Sequence, residues 1–272
     1  MQIECFKAYD VRGRIPDEIN PDVVYRIGRA YAEFLNPQTV VVGRDIRASS
    51  AMLQEALCRG LMEGGANVLD IGLCGTEEVY FSTFFQNADG GIMVTASHNP
   101  ADFNGLKFVR EGSRPVSGDN GLFDIKALAE AGKFSARSTG KMQALDAHAD
   151  YIRHLLGYVD IDRLKPMKIV ANPGNGGAGK VVDLLAPHLP FEFIPVHYEA
   201  DASFPNGVPN PLLVENRQAT IDAIRDNDAQ LGIAWDGDYD RCFFFDETGS
   251  FVEGYYVVGL LASFFLDKQP GQ

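Results

Sequence analysis

Gly90-Gly91-Ile92-Met93-Val94-Thr95-Ala96-Ser97-His98-Asn99-Pro100 is the stretch around which the chain is organised. The run from Gly90 to Val94 is short and apolar, the pattern of a strand buried on both faces of a parallel sheet. Asn99 and Pro100 are turn residues that stop the strand and lift Ser97 into a loop. In open α/β sheets ligands sit just past the carboxyl ends of strands, where this hydroxyl is expected. Taken alone, the stretch also fits an ordinary strand-to-loop turn. Trp235-Asp236-Gly237-Asp238-Tyr239-Asp240-Arg241 ends a second apolar strand and shifts the reading towards a site.

Working outward, strands alternate with amphipathic helices. Residues 3–12 read as a strand running into the turn at Gly13. Asp22 to Leu35 carries Val23, Ile27, Ala30, Tyr31 and Phe34 on one helical face. Thr39–Gly43 is a buried strand ending at Arg44-Asp45. The next helix has Leu53, Ala56, Leu57, Gly60 and Leu61 at helical spacing and stops at Gly64-Gly65. Asn67–Ile71 is a strand, and Thr76 is expected to cap the following helix with Glu77 and Glu78 in its first turn. Leu106–Val109 returns directly after the Ser97 strand, and a helix over 121–131 follows.

Residues 133–143 read as a loop at a domain boundary, and 149–159 as a connecting helix. A second round then repeats the first. Lys168–Ala171 is a strand, Val181–Leu185 a helix, Phe191–Val196 a strand and 215–226 a helix. Leu231–Trp235 is the strand that delivers the acidic loop, and Phe243–Gly249 turns back as a hairpin. The Asn172–Gly177 turn resembles a phosphate cradle without the full phosphate-loop signature and is read as structural. Tyr255–Leu266 is apolar nearly all round, so it needs cover on several sides, and an incomplete chain is expected for that reason. The fold class is α/β: two consecutive three-layer α/β/α domains with mixed, largely parallel sheets, plus the start of a third. The expected boundaries are 1–148, 149–254 and 255–272.

The chain has 272 residues, 46% hydrophobic and 22% charged, in the range of ordinary globular proteins. Its formal net charge of −13 argues against nucleic-acid or anionic-membrane partners. Any anionic substrate must then be received by a local cluster of Arg, Lys and metal. Cys5, Cys58, Cys74 and Cys242 form no CxxC pair and are expected to be buried reduced thiols. With no signal peptide and no apolar run long enough to cross a bilayer, a soluble cytoplasmic protein is expected.

Asp236, Asp238 and Asp240 place three carboxylates at alternate positions, which is unfavourable unless a cation sits among them. Oxygen ligands of this kind suit Mg²⁺ or another hard divalent cation. A solvated acidic turn is the alternative, weakened by the apolar residues on both sides. An EF-hand fails, because Arg241 stands where that loop needs Gly and strands stand where it needs helices. A serine hydroxyl must be activated to attack. His98 is the first suspect, but neighbours on an extended chain point to opposite sides. A triad is therefore improbable, and no GxSxG elbow is present. Metal and Arg241 neutralising a phosphoryl group on Ser97 is the better reading, an electrostatic form of catalysis. Lys107, on the returning strand, is a candidate acid or base with a lowered pKa, a phosphate contact, or a surface lysine.

Together, Phe6–Gly13 (FKAYDVRG), Thr95–Pro100 (TASHNP), Asn104–Phe108 (NGLKF) and Asp236–Arg241 (DGDYDR) resemble the α-D-phosphohexomutase family, most closely its bacterial phosphomannomutases. Gly75–Phe81 (GTEEVYF) looks typical of those in the GDP-mannose route. The resemblance implies a phosphorylated Ser97, with one Mg²⁺ held by Asp236, Asp238, Asp240 and a phosphoserine oxygen. Arg241 would lie by the phosphate, Tyr9 and Arg12 would line the cleft, and Lys107 would be a candidate acid/base beside Ser97 and His98. The implied reaction interconverts mannose 6-phosphate and mannose 1-phosphate through a bisphosphosugar, with hexose 1,6-bisphosphate as activator. The partner implied is a phosphohexose, with neither nucleic acid nor membrane, and a homodimer is compatible with it. The family has four domains, so the 272-residue chain alone is expected to be inactive. Phosphoglucomutase and a non-catalytic metal- and phosphosugar-binding protein remain alternatives. A phosphatase using Asp236 as nucleophile fits less well, because Tyr239 and Asp240 follow where such enzymes carry Thr or Val.

Overall fold

The computed structural model describes residues 1–269 and 271. Its first lobe runs β1 (Val11–Arg14), α1 (Pro21–Leu35), β2 (Thr39–Arg44), α2 (Ser50–Glu63), β3 (Asn67–Leu73), α3 (Thr76–Phe85), β4 (Gly90–Val94), β5 (Phe103–Arg110), β6 (Arg114–Pro115), α4 (Leu122–Ala131) and β7 (Met142–Ala144). The sheet order is β1-β5-β4-β2-β3-β7, with β6 on β5. Strands β4, β2, β3 and β7 are parallel, whereas β5 runs antiparallel to both β4 and β1.

All five residues of β4 are buried, as helices on both faces of a parallel sheet require. Helix α1 starts where Asn20 Oδ1 accepts from Val23 N–H at 3.1 Å and ends at Asn36 in the left-handed conformation. Its apolar stripe (Val23, Val24, Ile27, Tyr31) shares one core with Leu53, Leu57 and Leu61 of α2. Tyr31 is fully buried and places its hydroxyl 2.8 Å from Val109 O, so the polar end of the ring is satisfied.

The second lobe runs α5 (His148–Leu156), β8 (Met167–Asn172), α6 (Ala178–Leu185), β9 (Phe191–Pro195), α7 (Gln218–Asp226), β10 (Leu231–Trp235), β11 (Cys242–Phe245), β12 (Phe251–Val252) and α8 (Gly254–Lys268). Its sheet order is β12-β11-β10-β8-β9, with β10, β8 and β9 parallel and β11 returning antiparallel to β10. The expected α/β class with mixed, largely parallel sheets is what the structure has. Each lobe also delivers one loop from a parallel strand and sends the chain straight back: β4 to β5 around Ser97, and β10 to β11 around the aspartates.

Three local expectations differ. The first strand covers only Val11–Arg14, because Lys7 N–H bonds Asp10 O at 2.8 Å and folds residues 7–10 into a turn with Tyr9 at its tip. The boundary loop ends at Lys141, and Met142–Ala144 adds an edge strand to β3. Those three residues are all exposed, so backbone pairing rather than an apolar pattern places them. The four thiols are free, but only Cys5, Cys58 and Cys74 are buried, while Cys242 is exposed at the start of β11.

Among the described residues no helix is long and apolar enough to cross a membrane. Helix α8 is apolar all round and none of its side chains is buried; Leu260 is 72% and Val258 66% exposed. Of the expected segment 255–272, residues 270 and 272 lie outside the described residues. Side chains this exposed contribute little to the fold. Replacing Leu260 and Phe265 together by Asp should change unfolding free energy by less than about 1 kcal/mol, as urea denaturation will show.

Candidate active site

The two loops meet. Ser97 Oγ lies 2.6 Å from Asp236 Oδ2 and 2.8 Å from Arg241 Nη2, across the boundary between the lobes. Ser97, His98, Lys107, Arg241 and the three aspartates therefore converge. Arg12 joins through the loop itself: it donates to Ala96 O and, at 2.6 Å, to Asn99 Oδ1, while Asp10 holds its Nε at 2.9 Å. Tyr9 is not drawn in. It is 78% exposed and makes no hydrogen bond among the described residues.

Ser97 is buried and sits at φ +51°, in the left-handed region that non-glycine residues seldom occupy. The expectation that His98 points away assumes an extended chain. The positive φ removes that premise, and His98 Nδ1 lies 3.3 Å from Ser97 Oγ. Burial and the neighbouring Arg241 lower the pKa of His98. Arg241 donates to its Nδ1, and the Ser97 hydroxyl proton is directed at Asp236. The imidazole is held neutral with its facing nitrogen engaged, so it is poorly suited to take the Ser97 proton.

The loop is set from beneath by residues that sequence reasoning misses. Arg47, 2% exposed, donates to four carbonyl oxygens: Ser97 at 2.9 Å, Asn99 at 2.6 Å, Pro100 at 2.7 Å and Phe103 at 3.0 Å. Asp45 balances that guanidinium at 3.3 Å and accepts from Thr95 Oγ1 at 2.8 Å, and Thr95 Oγ1 in turn accepts from Ser97 N–H at 2.8 Å. A planar fork can satisfy several carbonyls at once, which a lysine cannot. A signal for this is present in the sequence, since Arg44-Asp45 ends a buried strand beside the Ser97 strand.

The aspartates form an unusual electrostatic unit. Asp236, Asp238 and Asp240 each offer an oxygen, all within 4.8 Å of one another. Lys107 Nζ reaches across the lobes to Asp238 Oδ2 at 2.7 Å and Asp240 Oδ2 at 2.5 Å. Burial would lower the lysine's pKa, but the two carboxylates outweigh it and raise it. The lowered pKa expected for Lys107 is therefore not found, and the ammonium stays charged. Burial and the nearby Asp238 raise Asp236. Asp238 is also disfavoured by burial, yet Lys107 and its hydrogen bonds hold it below the usual carboxylate range.

Asp238 Oδ1 and Asp240 Oδ1 are buried with no hydrogen-bond partner among the described residues. Buried carboxylate oxygens are costly to leave unpaired. Two of them beside Asp236 and the Ser97 hydroxyl make an oxygen-only donor set that fits a hard divalent cation. The three aspartates could hold such an ion.

Thr76 does not cap α3 as expected. Gly75 takes that position, and the Thr76 hydroxyl is spent across the lobes on Asp238 Oδ2 at 2.6 Å. In the Asn172–Gly177 turn Gly174 and Asn175 have positive φ, and Asn175 Nδ2 donates to Glu199 O at 2.7 Å.

Both lobes have counterparts among known proteins. Residues 4–136 match the family model for phosphoglucomutase/phosphomannomutase alpha/beta/alpha domain I, and residues 149–249 match domain II. A protein of Xanthomonas campestris named "Phosphohexose mutases" is 58% identical over 272 residues, spanning 100% of this chain. A Salmonella typhimurium phosphomannomutase is 54% identical over 278 residues and 99% of the chain. The chain spans 61% of the length of both relatives. A crystal structure of a phosphoglucomutase/phosphomannomutase family protein from Burkholderia thailandensis superposes with a TM-score of 0.93 at 31% identity, over 99% of this chain and 61% of that one. Both lobes carry the matches and the paired loops lie inside them: this chain belongs to the phosphoglucomutase/phosphomannomutase family.

Proposed function

We propose that the protein is a phosphomannomutase, an isomerase that moves phosphate between O6 and O1 of mannose through a phosphoserine at Ser97. The observation that carries this reading is the placement of the Ser97 hydroxyl against Asp236 and Arg241, with two buried carboxylate oxygens beside it that accept no hydrogen bond among the described residues. Relatives named phosphomannomutase at 54% and 52% identity support mannose as the sugar. In this reading it is a cytoplasmic enzyme supplying mannose 1-phosphate for GDP-mannose.

In this reading the phosphoryl group on Ser97 passes to the free hydroxyl of the phosphohexose. The Oγ–P bond breaks, a sugar O–P bond forms, and the proton given up by the sugar hydroxyl balances the one gained by the freed Ser97 Oγ. The bisphosphosugar then returns its other phosphate to Ser97. Hexose 1,6-bisphosphate entering the cycle would act as activator by loading the serine. Arg241 supplies fixed positive charge at the reacting oxygen, and Arg47 and Thr95 hold the Ser97 backbone while the charge changes. Arg12 steadies the loop through Asn99. Asp236, Asp238 and Asp240, with a phosphoserine oxygen, would hold Mg²⁺. The ion would supply counter-charge for the transferring phosphoryl group. Lys107 neutralises Asp238 and Asp240 and is placed to contact the phosphate or to move a proton. We assign the phosphoserine lobe to residues 1–148, the metal lobe to 149–254, and read 255–272 as opening a third.

Incubation of the chain with labelled hexose 1,6-bisphosphate and Mg²⁺ should transfer about one phosphate to Ser97. The product should resist hydroxylamine and disappear in Ser97→Ala. Label that survives in Ser97→Ala, or that hydroxylamine releases, would overturn the assignment. Arg47→Lys should slow this incorporation at least tenfold, on the order of one lost charge-assisted hydrogen bond, while leaving the chain folded by circular dichroism. An unchanged rate would show that the grip on the loop carbonyls does not matter to transfer.

A further inference from the structure

The middle residue of the acidic loop has no part in the chemistry above, yet it is the most elaborately seated. Tyr239 lies between Asp238 and Asp240 at φ +45°, a conformation that glycine adopts far more easily. Its ring lies in the seam between the lobes, in a slot between Gly75 of the first and Gly177 of the second. A Cβ on Gly75 would lie 2.2 Å from the ring, and a Cβ on Gly177 would lie 2.7 Å from it. The floor of the slot is apolar, formed with Phe81, Tyr151 and Val181.

At the end of the slot the hydroxyl donates to Glu78 Oε1. That carboxylate is 2% exposed and also accepts from Gly75 N–H at 3.0 Å, on the same oxygen. The anchor thus closes on the first turn of α3. Thr76 in that same turn bonds Asp238 twice, through its hydroxyl at 2.6 Å and through N–H to Asp238 O at 3.2 Å.

We propose that Tyr239 is a positioning residue: its ring in the Gly75–Gly177 slot and its hydroxyl on Glu78 pin the acidic loop of the second lobe to α3 of the first. The proposal rests on the metal-site reading above. Its physical basis is that Tyr239 shares its backbone with Asp238 and Asp240. With the ring and hydroxyl fixed, the loop has few ways to move, and the two carboxylates stay where the Thr76 bonds already hold Asp238. Three crowded carboxylates repel and would otherwise spread the loop. The anchor holds the donor oxygens together before any ion arrives, so less ordering remains to be done on binding.

Two measurements on the intact 272-residue chain test this. The first is Mn²⁺ affinity by electron paramagnetic resonance, and the second is hydrogen exchange of the Thr76 amide without metal. Tyr239→Phe keeps the ring and should weaken Mn²⁺ about three- to tenfold and speed Thr76 exchange by a similar factor. Glu78→Ala should match it, and the double variant should be no worse than either single one. Glu78→Gln, whose amide oxygen can accept both bonds, should stay within about twofold of the parent. Gly75→Ala, whose Cβ would push the ring out of the slot and its hydroxyl off Glu78, should weaken Mn²⁺ at least as much as Tyr239→Phe does. Parent-like affinity and exchange in Tyr239→Phe would overturn the proposal, as would additive losses in the double variant. A parent chain that binds no Mn²⁺ would defeat the metal-site reading instead, and Thr76 exchange would then decide the anchor alone.

Discussion

Three carboxylates crowded within 4.8 Å form the constraint on which this molecule depends. The second lobe brings one guanidinium to all three: Arg241 pairs with Asp236 and reaches Asp240 only at 3.6 Å, and the ammonium on Asp238 and Asp240 is Lys107, from β5 of the first lobe. The acidic loop is therefore electrically incomplete without its neighbour. That requirement accounts for the concentration of lobe contacts here, in Ser97 on Asp236, Thr76 on Asp238 and Tyr239 on Glu78. The interface between lobes and the candidate active site are one object.

The two lobes solve the same problem with the same topology. A buried parallel strand presents a polar loop at its carboxyl end, and an antiparallel strand takes the chain back. In the first lobe the product is one hydroxyl on a loop whose carbonyls an arginine grips from beneath; in the second it is a set of acids held by a lysine from outside. Left-handed backbone marks both loops, at Ser97 and at Tyr239. Unusual conformations of this kind persist where surrounding contacts over-determine them, and Arg47 and Glu78 supply such contacts.

Much of this is legible in the sequence. Uninterrupted apolar runs such as Gly90–Val94 and Leu231–Trp235 mark central strands, and turn residues after them locate the loops. The alternate aspartates announce a cation because carboxylates so close repel one another until positive charge is placed among them. What is not legible depends on contacts distant in sequence. Nothing near Ser97 signals a positive φ, so an extended-chain reading puts His98 on the wrong side. Thr76 has the chemistry of a helix cap, and only the opposing lobe diverts its hydroxyl to Asp238. Burial alone argues for a lowered pKa at Lys107, whereas its two acidic partners lie 131 and 133 residues away. Residues 142–144 pair by backbone and carry no pattern to read.

The immediate return of each loop into an antiparallel strand has a mechanical meaning. Ser97 and Asp236 ride on short spans clamped at both ends, so neither tip can bend far on its own account. Separating them would take movement of one whole lobe, against the packing of Tyr151 and Ile152 between Phe81 and Val181. The arrangement is that of tweezers with short, stiff points. Parting the points would cost the acidic loop its Lys107 ammonium and its Thr76 and Glu78 contacts in a single movement.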